Sequence, residues 1–94
     1  MIQIPEQLDE TDIQEYLRNI AAFAKDSIAA AAKNNQALAG IKFQQALTLA
    51  GNLLPHMVAT KETHNASYLR LESFIREKRP EKAIAAYQER LMGR

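Results

Sequence analysis

The densest run of chemistry-bearing side chains in this 94-residue chain is REKRPEK, at 76–82. Arg76, Lys78, Arg79 and Lys82 could hold an anion, whether a phosphate, a nucleic-acid backbone or the acidic face of a protein. Glu77 and Glu81 interleave with them and would pair with them on helix surfaces. A nucleic-acid surface more often shows an unbroken basic stripe. No short glycine turn leads into a helix with basic and amide residues along one side, so a helix-turn-helix is not indicated. These four cations are read as the candidate contact for an anion or for a partner protein. Their expected part is to orient the encounter, not to supply most of the affinity.

His56 and His64 are the two histidines, eight residues apart across an expected turn. A metal site wants three or four ligands, often at helical spacing and with carboxylate support. Glu62 is the one acid between them, so no metal is expected. The chain has no cysteine, which removes disulfides, thiolate ligands and cysteine nucleophiles. There is no glycine-rich phosphate loop and no nucleophile in a strand–turn–helix setting. The expectation is a protein that is not an enzyme and needs no cofactor.

These residues must be carried by helices. Ala, Leu, Gln, Glu, Lys and Arg dominate, glycine and proline number three each, and no stretch alternates with strand bounds. In the first helix, expected over 12–33, Ile13, Leu17, Ile20, Ala24, Ser27 and Ala31 recur at spacings of four and three. That is a heptad seam, with Tyr16 and Phe23 beside it. Thr11 and Gln14 suggest a capping box at its start, and Asp12 and Glu15 suit the positive end of its dipole. Its alanine-rich second half would let another helix approach closely. Asn34 and Asn35 tolerate the left-handed conformation and should end it.

The second helix, expected over 36–54 with room for an extension past Pro55, contains most of FQQALTLAGNLLPHMVAT at 43–60, eighteen residues without a charge. Phe43, Leu47, Ala50, Leu54 and Met57 form one stripe, and Ala46, Leu49 and Leu53 a second. So much apolar surface suits a helix wrapped by neighbours, or one buried by a second subunit. The first stripe is therefore the candidate interface. Ten of the eighteen residues are apolar, with Gln44, Gln45, Asn52, Pro55 and His56 among them, so the run is a poor membrane span. The amides either fix the register of a symmetric contact or line an open edge. Pro55 should kink or end the helix.

A third helix is expected over 65–78, capped by Thr63 or Asn65, with Tyr68, Leu71, Phe74 and Ile75 inward. The fourth, over 80–92, opens on Pro80 and should turn Ile84, Tyr87 and Leu91 inward. The fold class is all-α: one domain, 1–94, as a compact antiparallel array of three to four helices with room for completion by oligomerisation.

Net charge is +1, but residues 1–40 carry three basic and six acidic groups against nine and five in 41–94. Such a dipolar protein can pack head to tail. The N-terminal MIQIPEQLDETD has no basic region followed by an apolar run, and a cytoplasmic location is expected. The functional expectation is a small helical protein-binding module, an adaptor, regulator or inhibitor that self-associates. A protein partner and a homo-oligomer come first, nucleic acid or a small anion at the basic run stands second, and no membrane is expected.

Overall fold

The computed structural model describes residues 8–93. Residues 1–7 and Arg94, which entered the charge count and the reading of the N-terminus, lie outside the described residues. The described residues form four helices: α1 (Glu10–Ala32), α2 (Gln36–Ala59), α3 (Ala66–Glu77) and α4 (Pro80–Met92). Each packs antiparallel on the next, and α4 returns to pack on α1, which closes a square array. The all-α antiparallel arrangement is as expected.

The two hairpins differ in length. α1 and α2 have 23 and 24 residues, α3 and α4 only 12 and 13. At 1.5 Å per residue the long pair overhangs the short pair by about 15 Å. The molecule therefore has a four-helix base, where α1 starts and α4 ends, and a two-helix tip at the α1–α2 turn.

The ends of the helices explain the turns. α1 begins earlier than expected because Asp9, not Thr11, is its N-cap. The Asp12 N–H donates to the Asp9 carboxylate (2.9 Å) and the Asp9 N–H to that of Asp12 (3.4 Å). Thr11 sits inside the first turn instead. At the other end Asn34 takes φ 61°, its N–H donating to the Ala31 carbonyl and that of Asn35 to Ala30. This is a Schellman motif. Asn35 then caps α2 by accepting from the Leu38 N–H (3.1 Å). A second Schellman motif ends α2, with Lys61 at φ 62° and the Glu62 N–H on the Met57 carbonyl.

α2 takes up the extension left open in the sequence and continues through Pro55 to Ala59, so the proline lies inside the helix and does not end it. Pro55 has no N–H for the Gly51 carbonyl, but both residues are on the exposed side of the helix, where water can take that bond. Leu53 and Met57 are fully buried on either side of the proline, so a break there would expose apolar surface.

The core joins Leu17 and Ile20 of α1, Leu53 and Met57 of α2, and Leu71 and Phe74 of α3, all at zero exposure. α4 faces it with Ala83 and Ala86, not with the expected Ile84, Tyr87 and Leu91. Alanine allows the closest approach of α4 to α1 and α3. Ile84 and Tyr87 flank that contact half-buried, and Leu91 is exposed. Late in α1 the buried residue is Ala30, with Ala31 exposed, because a 3.6-residue helix drifts off a strict heptad. No described helix is long and apolar enough to cross a membrane.

Candidate functional site

The charged side chains expected to meet a ligand fall into two groups with different fates. At the α3–α4 turn the structure brings Arg76, Lys78, Arg79 and Lys82 together, and the carboxylates come with them. Arg76 pairs with Glu72 (3.2 Å) and Glu77 (3.3 Å), and Arg79 with Glu81 (2.9 Å). Lys78 takes φ 60° as the C-cap of α3, and its ammonium donates to the Ile75 carbonyl (3.2 Å). The hydrogen bond from Arg76 to Glu72 raises the arginine's already high pKa. Glu81 is held below the usual range, first by its own backbone N–H at the start of α4 and then by Arg79. Much of the positive charge at this corner is answered locally.

Arg90 is different, and its role is not visible in sequence spacing. It lies at the end of α4 with a side chain only 10% exposed. Its guanidinium grips Glu10 with two nitrogens (2.7 and 2.9 Å) and donates to Glu62 (2.6 Å) and Ser67 (3.2 Å). One side chain thus joins the start of α1, the α2–α3 turn and the start of α3. Asn65, the N-cap of α3, makes no capping bond and donates to Glu62 instead (3.0 Å). Burial alone would raise the pKa of Glu62; Arg90, with help from Asn65 and Thr60, outweighs it and holds the carboxylate below its usual value. Arg90 itself is pushed up, first by Glu10 and against its own burial. The polar hollow beside this cluster is lined by Glu10, Asn65, Ser67 and Arg90, which bond within the cluster, together with Glu89. It is a structural clasp. Sequence could have hinted at it through a cation in the last turn of α4 and acids in the first turn of α1, ends that an antiparallel array brings together.

The expected interface stripe on α2 belongs largely to the protein's own core. Ala50 and Met57 are fully enclosed, while Phe43, Leu47 and Leu54 are half-buried against the same core. Phe43 meets Phe74 edge to face, with ring centroids 5.4 Å apart. The stripe reads as an interface in sequence because it is continuous and apolar; α1 and α3 of the same chain cover most of it. Gln44, Gln45 and Asn52 are exposed, so they line an open edge. His64 is exposed, and His56 is half-buried with its Nε2 enclosed and unpartnered among the described residues. No described group of three or more His, Asp or Glu is arranged to hold a metal.

Comparison with known protein families, curated proteins and solved structures finds no match.

What remains open is the outer seam between α1 and α2. Three hollows follow one another along it from base to tip. The first lies between Tyr16 and Leu49, beside Leu8. The second, about 460 Å³, lies between Phe23, Leu49 and Ile41. The third lies at the tip between Ala30 and Leu38. Leu49 is shared by the first two, and Lys42, over the Phe23 ring at 5.5 Å, lines the third. Ile41, which shares a hollow with the half-buried Phe23 ring, is 56% exposed and Leu38 40%, high values for large apolar side chains. Sequence reading placed Tyr16 and Phe23 beside the heptad stripe of α1 but passed over Leu38 and Ile41, which precede the uncharged run that drew attention to α2.

Proposed function

We propose that the protein is a non-enzymatic protein-binding module, a small helical adaptor, regulator or inhibitor, and that it docks its partner along the outer α1/α2 seam. The observation that carries this reading is the seam's composition. Its floor is Tyr16, Phe23, Leu49 and Ile41, and its α2 wall has amides, a threonine and one lysine but no acid. Such a surface offers apolar anchors along its floor and its α2 wall, with the charged side chains Asp12, Glu15, Asp26 and Lys33 confined to the α1 wall, which is how a helical groove accepts a partner. The alternative, an anion or nucleic acid at the α3–α4 turn, is less favoured because Glu72, Glu77 and Glu81 offset Arg76 and Arg79 there.

Site-specific photo-crosslinking tests the reading. A photoreactive phenylalanine at Ile41 should give protein adducts in lysate, and the same probe at Arg76 should give far fewer. Adducts at Arg76 with none at Ile41 would sink it. An oligonucleotide titration at two salt concentrations tests the alternative. Binding that falls steeply with salt and is lost in the Arg79→Glu, Lys82→Glu double variant would replace docking with nucleic-acid binding.

A further inference from the structure

We propose that residues 1–7 of this chain act as a strap, laid extended in the outer α1/α2 seam and covering it until a partner displaces them. The proposal rests on the seam being a docking face and adds how access to that face is regulated.

Where the segment joins the fold, how far it reaches and what it is made of carry the proposal. Residues 1–7 read MIQIPEQ and lie outside the described residues. They join at Leu8, which packs half-buried against the core and lines the base hollow with Tyr16 and Leu49. The point of attachment is therefore the mouth of the seam. Met1, Ile2 and Ile4 are apolar, and Pro5 biases Ile4 away from the helical region. In an extended chain Ile2 and Ile4 share one side. Each extended residue advances about 3.3 Å, so Ile4 reaches about 13 Å from Leu8 and Ile2 about 20 Å. Along α1, Phe23 of the second hollow stands about 16 Å beyond Asp12 of the first. Ile4 thus falls near Leu49, which the two hollows share, and Ile2 beside Phe23 and Ile41.

The wall of the second hollow suits an extended occupant. Such a segment brings backbone N–H and C=O groups that need partners outside itself. Gln44, Gln45 and Thr48 line that wall, are exposed, and can each donate and accept. A helical occupant makes its backbone bonds internally and has no such need of them. Glu6 is the one charge in the segment, and it falls at the base, where Asp12 and Glu15 border the hollow. That like-charge approach keeps the strap weak enough to be displaced. The tip hollow is beyond its reach: Lys33 stands about 15 Å past Phe23 along α1.

Photo-crosslinking of the full chain tests the proposal. A photoreactive phenylalanine at Ile41 in the purified, dilute protein should capture residues 1–7, as peptide mapping of a monomer-sized adduct. The same probe at Lys33 should not capture them. In lysate the double variant Ile2→Asp, Ile4→Asp should then give more partner adducts at Ile41 than the wild type. A strap that covers the seam nine-tenths of the time lowers the apparent affinity about tenfold, and that is the expected gain. Circular dichroism should show unchanged helicity, since both substitutions precede α1. No capture of residues 1–7 at Ile41, or equal capture at Lys33, would overturn the strap while leaving the docking face intact, provided partner adducts still form. A covalent dimer would assign the occupant to a second copy and overturn it as well. Capture of residues 1–7 with no partner adduct in either protein would remove the docking face, and with it any regulation by the strap.

Discussion

At the base, α1 and α2 are wrapped by a second hairpin, and the space between them is filled by Ile13, Leu17, Leu53 and Met57. At the tip the same two helices continue alone, and what they bury is Ser27, Ala30 and Ala39. The base gains its stability from large apolar side chains with neighbours on several sides. The tip relies on close approach: small side chains bring the backbones together, and the Ser27 hydroxyl reaches the Ala39 carbonyl across the gap. A helix pair can therefore outrun the layer that covers it if its inner face shrinks to alanine and serine. Its outer large residues, Phe23, Leu38 and Ile41, are then left facing outward.

Substitutions that remove the same kind of mass from each end test this contrast most strongly. Leu17→Ala should cost about 3–4 kcal/mol, because Leu17 has no exposure and its cavity is enclosed by several helices. Ile41→Ala should stay within about 0.5 kcal/mol, because Ile41 is mostly exposed. Urea melts of the two variants read the difference, and equal losses would mean that the tip is as enclosed as the base.

Arg90→Ala comes next. It leaves Glu10 and Glu62 without their cation at the base, and should cost about 2–3 kcal/mol. The pH dependence sharpens this. Glu62 is held below its usual value in the folded protein, so its contribution is present above the unfolded carboxylate value. It is lost as pH falls through the lower, folded value. The gap between wild type and Arg90→Ala in urea midpoint should therefore narrow in acid. A gap that stays constant as pH falls would remove the carboxylates from the explanation.

The last expected effect is a gain. Pro55→Ala restores a donor for the Gly51 carbonyl inside a continuous helix, and should add about 1 kcal/mol or more of stability along with some helicity. A neutral or harmful result in a thermal melt followed by circular dichroism would show that the ring packs usefully where it is.

Much of this architecture was legible in the residues, and the failures have physical causes. The spacing of Ile13, Leu17, Ile20, Ala24 and Ser27 located the inner face of α1, since a helix packed along most of its length keeps its periodicity. The stops at Asn34 and at Arg79-Pro80 were legible because left-handed asparagine and first-turn proline are local preferences. The inner face of α4 was misjudged toward its large residues. Which of two adjacent stripes turns inward depends on how near the neighbouring helices come, and no single stretch of sequence states that. Past Pro55 the local rule lost to tertiary burial of Met57. The exposed groove was half visible: Tyr16 and Phe23 stood out, but that Ile41 is left open follows from its place on the side of α2 opposite Ala39, Ala46 and Ala50, away from α3 and α4.

The clasp at the base also bears on time. The Arg90–Glu10 contact joins residues 80 apart in sequence, whereas the turns at Asn34 and Lys78 close over a few residues. Loop-closure entropy disfavours making so distant a contact before the two hairpins exist. Arg90 therefore belongs to the late-forming part of the molecule, and its energy falls on the rate of unfolding more than on the rate of folding. Without it the chain would still assemble at nearly its usual speed but would come apart sooner. Unfolding kinetics should therefore show Arg90→Ala speeding unfolding more than it slows folding.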